Sequence, residues 1–563
     1  MKIIFLIISV FLFNGVIPAQ TPERFSRPLD EIAEKNFKKY NSFSDYIPDY
    51  SNLSFTNYNI SRDSFPQNEP SVKISKKNPL RVVAAYRDFS AGVNPANRRV
   101  GYSYSADGGV TWSANKLLDS TLIPGYPRNS DPVVAVDTAG NFYISVVTIG
   151  QNLALAVYKS TDGGVTFPNA YMVANNGTED KEWMETDFTP GSPYYNNLYI
   201  SWTRFSGNAG IKLTKSVNSG VNWTNAVDVA DPSSQGQGSD LAIGLDGEIY
   251  VTWVGGTASL DYIYFDKSTD GGNSFGTDRI IQQGNTPFIP ITSSGITFPS
   301  IDTDVSGGAF NGNIYLVWCD ATNGDPDIFL TKSTNRGVNW TAPLRVNNDP
   351  VGNNKLQCWP WIAVSDSGDI AVLYYDSRNT PNNNIVEAWL AVSNDGGLSF
   401  KNSVLSSAPS TTNQPNSAIR FGDYICVDYY GGRIVPVWTD QRTGGFDMEC
   451  YTAIVNTTVN ISQQSNSVPS GFELRQNYPN PFNPETKISY SIPERSFVSL
   501  KVFNSIGMEV SALAEQFQNS GNYEVKWSGE SYGSGIYFYR LTVTTEGMNT
   551  KELAETRKMI LLK

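Results

Sequence analysis

The stretch "KSTDGGVTF" at residues 159–167 recurs along the chain and decides its fold. It combines a serine, an acidic residue two positions later, glycine and a closing aromatic residue. Successive copies place their serines 52 to 65 residues apart, which indicates a repeat architecture. The other copies are "YSADGGVTW" (104–112), "KSVNSGVNW" (215–223), "KSTDGGNSF" (267–275), "KSTNRGVNW" (332–340) and "VSNDGGLSF" (392–400).

A second pattern precedes each copy: two apolar strands joined by a glycine turn, as in "DLAIGLDGEIYVTW" (240–253). Together the patterns predict units of four strands, A to D, in a meander. One such sheet cannot bury both faces, whereas sheets arranged radially can. We therefore predict an all-β chain with a β-propeller over residues 65–457, with seven blades favoured. Six blades result if one end unit does not complete a sheet.

The predicted seventh unit has no clear strand D. The segment "NLSFTNYNI" at 52–60 belongs to an N-terminal extension (20–64) that precedes the first unit. Because it directly precedes the first unit, it is a candidate for the missing strand that closes the ring.

The repeated turn lies between strands C and D of each unit, and its chemistry is typical of a structural element. The acidic side chain accepts backbone N–H bonds, and glycine adopts positive φ. Asparagine replaces aspartate in two copies, which keeps the hydrogen bonds and loses the charge, so we predict a structural role and not a catalytic one. The acidic or amide residues and their aromatic partners are Asp107, Trp112, Asp162, Phe167, Asn218, Trp223, Asp270, Phe275, Asn335, Trp340, Asp395 and Phe400.

The best copy, Ser-x-Asp-x-Gly-x-Thr-Trp at 105–112, resembles the Asp-box or BNR repeat of sialidase-like propellers. The resemblance spans 65–457 and implies the fold, but these boxes lie away from the sialidase active site. The family's Arg-Ile-Pro motif is expected before the first box, where this chain has "PLRVVAAYRDF" (79–89). No catalytic residue is therefore assigned.

Composition changes after a polar segment at 458–472, which we interpret as a linker. Residues 473–563 show the alternation of a small Ig-like β-sandwich. The motifs "NYPNPFNP" (477–484) and "GIYFYR" (535–540) resemble the type A C-terminal sorting domain of the type IX, or Por, secretion system. That resemblance implies the type IX machinery as a partner and export to the cell surface or beyond. A retained adhesion module is the alternative.

The ends and composition of the chain narrow the function further. Residues 1–19 combine a basic start, an apolar run and a small residue, which is typical of a secretory signal peptide, and no other segment reaches transmembrane length. The net charge of −12 without a basic cluster argues against nucleic-acid binding. The chain has no histidine, which excludes Ser-His-Asp and Cys-His catalysis.

Candidate ligand-binding residues follow strand B or precede strand A, on the face opposite the repeated turns. Arginine binds carboxylates in bidentate fashion, and aromatic rings stack on flat ligands. One interpretation is a pocket for an anionic or polyhydroxylated ligand; the other is that Asp and Arg on neighbouring blades pair and brace the ring. The candidates are Arg87, Asp88, Arg204, Asp320, Trp359, Asp376, Arg378, Arg420, Asp440 and Arg442, and the loops before strand A add Asp131, Asp180, Lys181, Glu182, Asp240 and Asp423.

Three functions therefore stay open from sequence: a secreted propeller that binds an extracellular ligand such as a glycan, a sialidase-type glycoside hydrolase with a divergent site, and a protein-interaction scaffold. No cofactor is expected, except that "DTDVSGGAFNGN" (302–313) begins like a calcium loop but ends in asparagine. Cys319 and Cys358 are predicted to lie near one face and are a candidate disulfide.

Overall fold

A computed structural model describes the chain from residue 55 to residue 563, and the predicted all-β architecture is confirmed. The predicted signal peptide and residues 20–54 of the extension lie outside the described residues. Within the range, the residues that are not described are 93–96, 233–235, 256–261, 285–296, 413–418, 445–446, 458–460, 466–468, 495, 508, 519, 530–531 and 546–551.

Seven antiparallel sheets form the first part of the described chain, and six of them are meanders of consecutive strands A to D. Blades 1 to 3 consist of β2 Gln67–Ile74, β3 Val82–Asp88, β4 Arg99–Ser105, β5 Lys116–Leu117; β6 Arg128–Val136, β7 Phe142–Ile149, β8 Leu153–Ser160, β9 Asn169–Ala174; β10 Glu179–Thr186, β11 Leu198–Arg204, β12 Gly210–Ser216, β13 Val227–Asp228. Blades 4 to 6 consist of β14 Gly236–Ile243, β15 Ile249–Gly255, β16 Tyr262–Ser268, β17 Arg279–Gln283; β18 Ser300–Thr303, β19 Ile314–Asp320, β20 Asp327–Ser333, β21 Leu344–Arg345; β22 Gln357–Val364, β23 Ile370–Asp376, β24 Ile385–Ser393, β25 Lys401–Val404. A short strand, β26 Ser410–Thr411, also pairs with β24, and a 3-10 turn spans Ser120–Leu122.

The seventh blade takes its outer strand from the other end of the chain. Its own strands are β27 Cys426–Tyr430, β28 Arg433–Asp440 and β29 Glu449–Ala453, and β30 Val455–Asn456 also pairs with β28. The outer position is taken by β1, Asn57–Asn59, which runs antiparallel to β29. The segment expected from sequence to close the ring therefore does so.

The inner strands, one from each blade, surround a common axis. Each packs against the inner strand of the next blade, and β27 of blade 7 packs against β2 of blade 1, which completes the circle. Backbone N–H groups reach aspartates of the preceding inner strand: Ile301 N donates to Asp240 at 2.9 Å and Ile74 N to Asp428 at 2.7 Å. The axis is thus lined by carboxylates that connect blades.

Aromatic side chains at the ends of strands B fill the space between blades. Trp202, Trp253 and Trp438 are fully buried and belong to one continuous apolar cluster. Because burying a large apolar side chain contributes about 1.5–3 kcal/mol, this packing holds neighbouring sheets together.

The repeated turn, called the Asp box from here on, shares three hydrogen bonds in all six copies, made by the serine hydroxyl and the Asp or Asn side chain; the ring N–H bond of the closing Trp occurs in the first and third copies. In the first copy, Ser105 Oγ donates to Asp107 Oδ1 at 2.8 Å and accepts from Gly109 N at 2.8 Å. Thr111 N donates to Asp107 Oδ1 at 2.8 Å, and Trp112 Nε1 donates to Gly109 O at 2.8 Å. Asn218 takes the place of the aspartate in the third copy and accepts from Ser216 Oγ at 3.0 Å. The acidic residue holds a turn closed.

A lysine directly before the serine of four Asp boxes connects each to the next blade. Lys159 Nζ donates to Ser219 O at 2.9 Å, and Lys215 Nζ donates to Gly271 O. Lys267 and Lys332 make the same contact with Arg336 O and Gly396 O, at 2.8 and 2.6 Å. The box therefore also locks blade to blade, a role not anticipated from sequence.

The C-terminal part is a sandwich of two four-stranded sheets, ordered β31-β36-β33-β32 and β35-β34-β37-β38. The predicted linker (458–472) is partly wrong, because β31 lies within it and pairs with β36. The strands are β31 Ile461–Ser465, β32 Glu473–Leu474, β33 Glu485–Ile492, β34 Ser496–Asn504, β35 Glu509–Gln518, β36 Gly521–Ser528, β37 Gly535–Thr545 and β38 Glu552–Leu561.

The Asn-Pro segment packs along the last strand of the sandwich. Asn477 is buried, and its Nδ2 donates to Thr486 Oγ1 at 2.8 Å. Phe482 N donates to Ile560 O and Leu562 N donates to Phe482 O, both at 3.0 Å. The two ends of the sandwich, far apart in sequence, are therefore one structural unit.

The predicted disulfide between Cys319 and Cys358 is wrong, because both thiols are free and buried. Cys319 Sγ donates to the backbone oxygen of Gln357 at 3.2 Å. The thiol is thus directed at the neighbouring inner strand, and burial raises the pKa of both thiols well above the usual range.

Candidate ligand-binding site at the propeller axis

Five inner strands carry a β-bulge near the end that faces away from the Asp boxes. The register shifts fall at Asn68/Ser71, Ser130/Val133, Asp180/Trp183, Gln237/Asp240 and Cys358/Trp361. Each bulge contains a residue with positive φ, which is uncommon outside glycine and clusters at functional sites. These residues are Glu69 (52°), Asp131 (52°), Lys181 (51°), Gly238 (69°) and Trp359 (54°).

The bulges place charged residues of three consecutive blades beside one another. Glu69, Asp131 and Lys181 occupy equivalent positions on β2, β6 and β10, whose strands are neighbours around the axis. Arg87, at the end of strand β3, joins the first two: its Nη2 is 2.8 Å from Glu69 Oε1 and its Nη1 is 3.8 Å from Asp131 Oδ1. We call Glu69, Arg87, Asp131, Asp180 and Lys181 the axial site.

The carboxyl groups of Glu69 and Asp131 differ sharply in environment. Glu69 has a side chain only 1% exposed, and burial raises its pKa well above the usual range. The side chain of Asp131 is 20% exposed; burial opposes its ionisation, but Arg87 and Arg98 outweigh it and lower its pKa. The pKa values of these two neighbouring carboxyl groups are therefore shifted in opposite directions.

Asp180 is a third carboxyl group beside this pair. Burial, followed by the charge of Asp131, raises its pKa to about 7, although the N–H of Lys181 donates to its Oδ1 at 3.0 Å. Unlike Glu69, Asp180 is partly exposed. The axial site therefore combines a carboxyl group whose pKa is lowered, that of Asp131, with two whose pKa values are raised, those of Glu69 and Asp180.

Aromatic rings close the axis beneath these groups. Trp183 of blade 3 and Trp361 of blade 6 have ring centroids 4.1 Å apart, and Tyr424 of blade 7 packs edge-on against Trp183 at 5.8 Å. The ammonium of Lys181 lies 4.1 Å from the Tyr424 ring and 5.2 Å from that of Phe298. Because blades 3 and 6 are far apart around the ring, their contact shows that the channel is filled at this level.

Two charged groups near the axial site have unsatisfied atoms. Neither carboxyl oxygen of Glu182 has a hydrogen-bond partner among the described residues, and burial raises the pKa of this side chain well above its usual range. The buried Nε of Arg98 likewise has no partner in the described part of the chain. Burial and the nearby charge of Arg87 lower the pKa of Arg98, so an added anion would be favourable there.

The candidates that follow strand B in blades 3, 6 and 7 form ion pairs inside their own blade. Arg378 Nη2 lies 2.6 Å from Asp376, and Arg442 Nη2 lies 2.6 Å from Asp440. Arg204 pairs with Glu179 at 2.9 Å and lines a cleft of about 290 Å³. Arg378 and Arg442 pair with the aspartate two residues before them, whereas Arg204 pairs with a residue of the first strand of its blade. Arg378 Nη2 also lies 3.4 Å from Asp349, in the segment between blades 5 and 6, so the alternative of bracing between neighbouring blades keeps support at Arg378.

The remaining candidates divide between turns and the axis. Asp88 accepts from Ser90 N at 2.7 Å and Asp320 accepts from Thr322 N at 2.7 Å, so both order their own loops. The side chain of Arg420 is exposed. Only Arg87 and Trp359, which packs between Tyr375 and Phe421 and is 2% exposed, belong to the bulge level among the ten.

Sequence reasoning missed Glu69, although a signal for it exists. A proline follows the positive-φ residue in three blades, as Glu69-Pro70, Asp131-Pro132 and Trp359-Pro360. Because proline cannot donate to a ladder, within a sheet it is confined to edges and bulges. An X-Pro pair in an inner strand therefore marks the bulge and the residue beside the axis.

The stretch considered for calcium uses its oxygens within the protein. Asp302 Oδ2 accepts from Val364 N at 2.7 Å and Asp304 Oδ1 accepts from Ser306 N at 2.9 Å. In the part of the chain that the structure describes, no group of three or more Cys, Asp and Glu has a metal-binding arrangement. A membrane-spanning helix, long and apolar enough, is likewise not found among the described residues.

Comparison with known proteins identifies the C-terminal part. Residues 476–554 match the family model of the secretion system C-terminal sorting domain, which confirms the resemblance seen in the Asn-Pro segment. A domain of this family directs export. No curated protein sequence matches the chain.

Solved structures with similar architecture include glycan-active enzymes. The leech intramolecular trans-sialidase is 14% identical, with a TM-score of 0.40 over 58% of this chain and 65% of its own, so less than two thirds of its length is matched. A Dyadobacter fermentans protein of unknown function is 13% identical, with a TM-score of 0.42 over 71% and 98%. Penicillium chrysogenum α-L-arabinanase is 16% identical, with a TM-score of 0.40 over 72% and 99%. Likeness at this level says nothing about the chemistry of the axial site.

Proposed function

We propose that this exported propeller binds an extracellular acidic glycan at the axial site. The observation that supports the proposal most is the convergence of positive-φ bulge residues from consecutive blades. Backbone strain of about 1–3 kcal/mol per residue persists only where the surrounding structure enforces it, and it clusters at functional sites. Here it brings Glu69, Asp131 and Lys181 to one place.

The polarity of the site fits a sugar. Hydroxyl groups form their strongest hydrogen bonds with charged partners; Asp131 and Asp180 of the axial site are partly exposed, and so is the nearby Arg98. Arg98 favours an acidic sugar, because its buried Nε has no partner among the described residues and its pKa is lowered by burial and by Arg87. A bound carboxylate or sulfate would offset both effects.

The test is binding of the purified chain to polygalacturonate, chondroitin sulfate and colominic acid, with dextran as a neutral control. We expect retention on at least one acidic probe and none on dextran. Loss of a charge-assisted hydrogen bond in Arg98→Ala weakens binding by about 10- to 100-fold. Arg279→Ala is the matched control, because Arg279 is an exposed arginine that donates to Val338 O in an Asp box. Equal weakening by both substitutions, or binding to dextran alone, would contradict the proposal.

Sialidase-type hydrolysis is the second candidate and stays a prediction. Such a mechanism needs a tyrosine near a glutamate. At the axis, Tyr424 lies close enough to Glu69 and Glu182 for their charges to act on its hydroxyl group. A fluorogenic sialoside measures it directly, with Tyr424→Phe as the variant that removes the hydroxyl and keeps the ring.

A further inference from the structure

We propose that a groove on blade 4 binds an alkylammonium group, with Asp266 as the residue that holds the charge. The groove has a volume of about 540 Å³ and is lined by residues of β16, of the Asp box that follows it and of the start of β17. None of its lining residues belongs to the axial site, so the inference does not depend on the function proposed there. Free polyamines and lysine side chains share this ammonium chemistry, and the experiment below separates the two sources.

Blade 4 departs from its neighbours at two paired positions, the residue before the box lysine and the residue after the closing aromatic ring. In blade 3 both are threonine, and Thr214 Oγ1 donates to Thr224 O at 2.7 Å; blade 5 has the same pair. Blade 4 has Asp266 and Gly276 instead. A Cβ on Gly276 would stand 3.0 Å from Asp266 Oδ1, so the glycine makes room for the carboxylate.

The two oxygens of Asp266 differ in what they contact. Lys267 N donates to Oδ1 at 2.7 Å, whereas the equivalent Lys215 N donates to Thr224 Oγ1 at 3.2 Å, so Oδ1 replaces the threonine hydroxyl that blade 4 lacks. Oδ2 has no hydrogen-bond partner among the described residues, although Asp266 lines the groove and is only 4% exposed. Because buried polar atoms are ordinarily hydrogen-bonded, Oδ2 is an acceptor ready for a donor that enters the groove.

Further carboxylates surround Asp266. Asp231 N donates to Asp278 Oδ2 at 2.6 Å and Asp278 N donates to Asp231 Oδ2 at 3.2 Å, and Asp278 also lines the groove. Burial, and then the charges of Asp278 and Asp231, raise the pKa of Asp266 to about 6 against the effect of the N–H of Lys267. A bound cation would offset this repulsion, since an opposite charge favours the ionised carboxyl group.

The two cationic side chains along the groove are directed elsewhere. Lys267 Nζ donates to Arg336 O at 2.8 Å, and Arg279 Nη1 donates to Val338 O at 2.9 Å. Both acceptors belong to the Asp box of blade 5. These cations therefore bind the next blade, and the charge that Asp266 requires has to come from a ligand.

The size and lining of the groove favour an organic cation. A volume of about 540 Å³ is far larger than a metal ion requires, and Phe265 and Phe275 contribute apolar surface. An ammonium group offers three N–H donors and no acceptor, and its hydrogen bonds to a carboxylate are stronger than neutral ones. Its alkyl stem packs along apolar surface, as lysine stems do.

The experiment is isothermal titration calorimetry of the full chain with cadaverine, a free diamine, and with N-acetyl-lysine methylamide, which represents a lysine side chain. We expect saturable binding of at least one of them with a Kd of about 1 mM or tighter. Pentanediol, which has the same chain as cadaverine without the charge, should not bind. Asp266→Asn keeps an acceptor for Lys267 N and places an amide where the charge was, so binding should weaken by about 10- to 100-fold.

Two further variants control for folding and for net charge. Asp266→Thr combined with Gly276→Thr rebuilds the pair found in blades 3 and 5, so this double variant should keep the thermal midpoint and lose binding. Asp119→Asn, at an exposed aspartate that precedes the 3-10 turn, makes the same change in net charge and should leave binding unchanged.

Each outcome supports or overturns the inference. Binding of cadaverine extends the ligands to free amines, whereas binding of the lysine derivative alone assigns the groove to a protein side chain. No binding of either amine by the native protein, equal affinity for pentanediol, or unchanged binding in Asp266→Asn overturns it. Calcium that binds the native protein but not Asp266→Asn, without binding of either amine, would overturn it in favour of a metal site.

Discussion

The Asp box allows a sharp test of its structural role, because replacing its serine and replacing its aspartate are expected to lower stability by different amounts. In the second copy, Ser160 Oγ donates to Asp162 Oδ1 at 2.7 Å and accepts from the buried N–H of Gly164 at 2.9 Å. Ser160 is fully buried, whereas Asp162 is exposed. Removing the serine hydroxyl leaves a buried N–H without its acceptor.

The magnitudes follow from that difference. An unsatisfied buried donor costs about 1–3 kcal/mol, so Ser160→Ala is expected to lower the free energy of unfolding by about 2 kcal/mol. Asp162→Asn keeps an acceptor for the N–H groups of Val165 and Thr166, both at 3.0 Å, and loses only the charge. Since charged hydrogen bonds exceed neutral ones by about 1 kcal/mol, the expected loss is about 1 kcal/mol or less.

The two effects also differ in their pH dependence. Burial disfavours the Asp162 carboxylate, but hydrogen bonds from Thr166 and Ser160 outweigh it and lower its pKa. A lowered pKa contributes stability above the unfolded value of 3.8, and this contribution is lost as pH falls through the lower folded value. The deficit of Asp162→Asn should vanish in that acidic window, while that of Ser160→Ala should persist.

Urea unfolding of the full chain, followed by tryptophan fluorescence at pH 7 and pH 3, measures both variants. Asn218→Asp in the third copy is a matched control, because it introduces the charge where the chain naturally lacks it. A larger loss for Asp162→Asn than for Ser160→Ala would refute the structural role and point to a functional need for the charge.

Three further predictions concern the axis, the cysteines and the ring closure. Burial raises the pKa of Asp302 to about 7, so between about pH 4 and pH 7 the folded state holds a proton that the unfolded state has lost. The stability of the fold therefore falls as pH rises through this range. Asp302→Asn, which still accepts from Val364 N, should remove that fall when thermal midpoints are measured over a series of pH values. Dithiothreitol should leave the thermal midpoint unchanged, and alkylation after unfolding without reductant should label Cys319 and Cys358. Ile60→Ala, at a fully buried site beside β1, should lower stability by about 2–4 kcal/mol in the same urea assay, and an effect below 0.5 kcal/mol would contradict a role in closing the ring.

The fold can be predicted from the sequence because the same local pattern recurs, and each copy is independent support for the same strands and turn. Glycine in the turn, a buried serine and an aromatic closing residue recur in six copies, and their spacing leaves room for four strands. The closing strand could also be predicted, since the last unit lacks a clear strand D and the segment at 52–60 precedes the first unit.

The axial site could not be predicted in this way. A bulge reverses the alternation of side chains between the two faces of a strand, and the sequence-based assignment of inward-facing residues depends on that alternation. One extra residue turns the next side chain to the opposite face of the sheet. Counting from the apolar positions of β2 therefore does not reveal Glu69 as an axial residue. The ion pairs at 376–378 and 440–442 show a second limit: an arginine two residues after an aspartate in one loop pairs with that aspartate, a local contact that neither sequence interpretation included.

The pairing of β1 with β29 constrains the order in which the propeller can fold. Asn57 and Ala453 are neighbours in one sheet, so a loop of about 400 residues must close before that ladder forms. The entropy of loop closure grows only slowly with length, so the cost in stability is modest, but contacts between distant residues slow the search for the native state. β1 precedes the other described strands in the chain, but it can pair only once β29 has formed, and until then the seventh sheet keeps an open edge at β29.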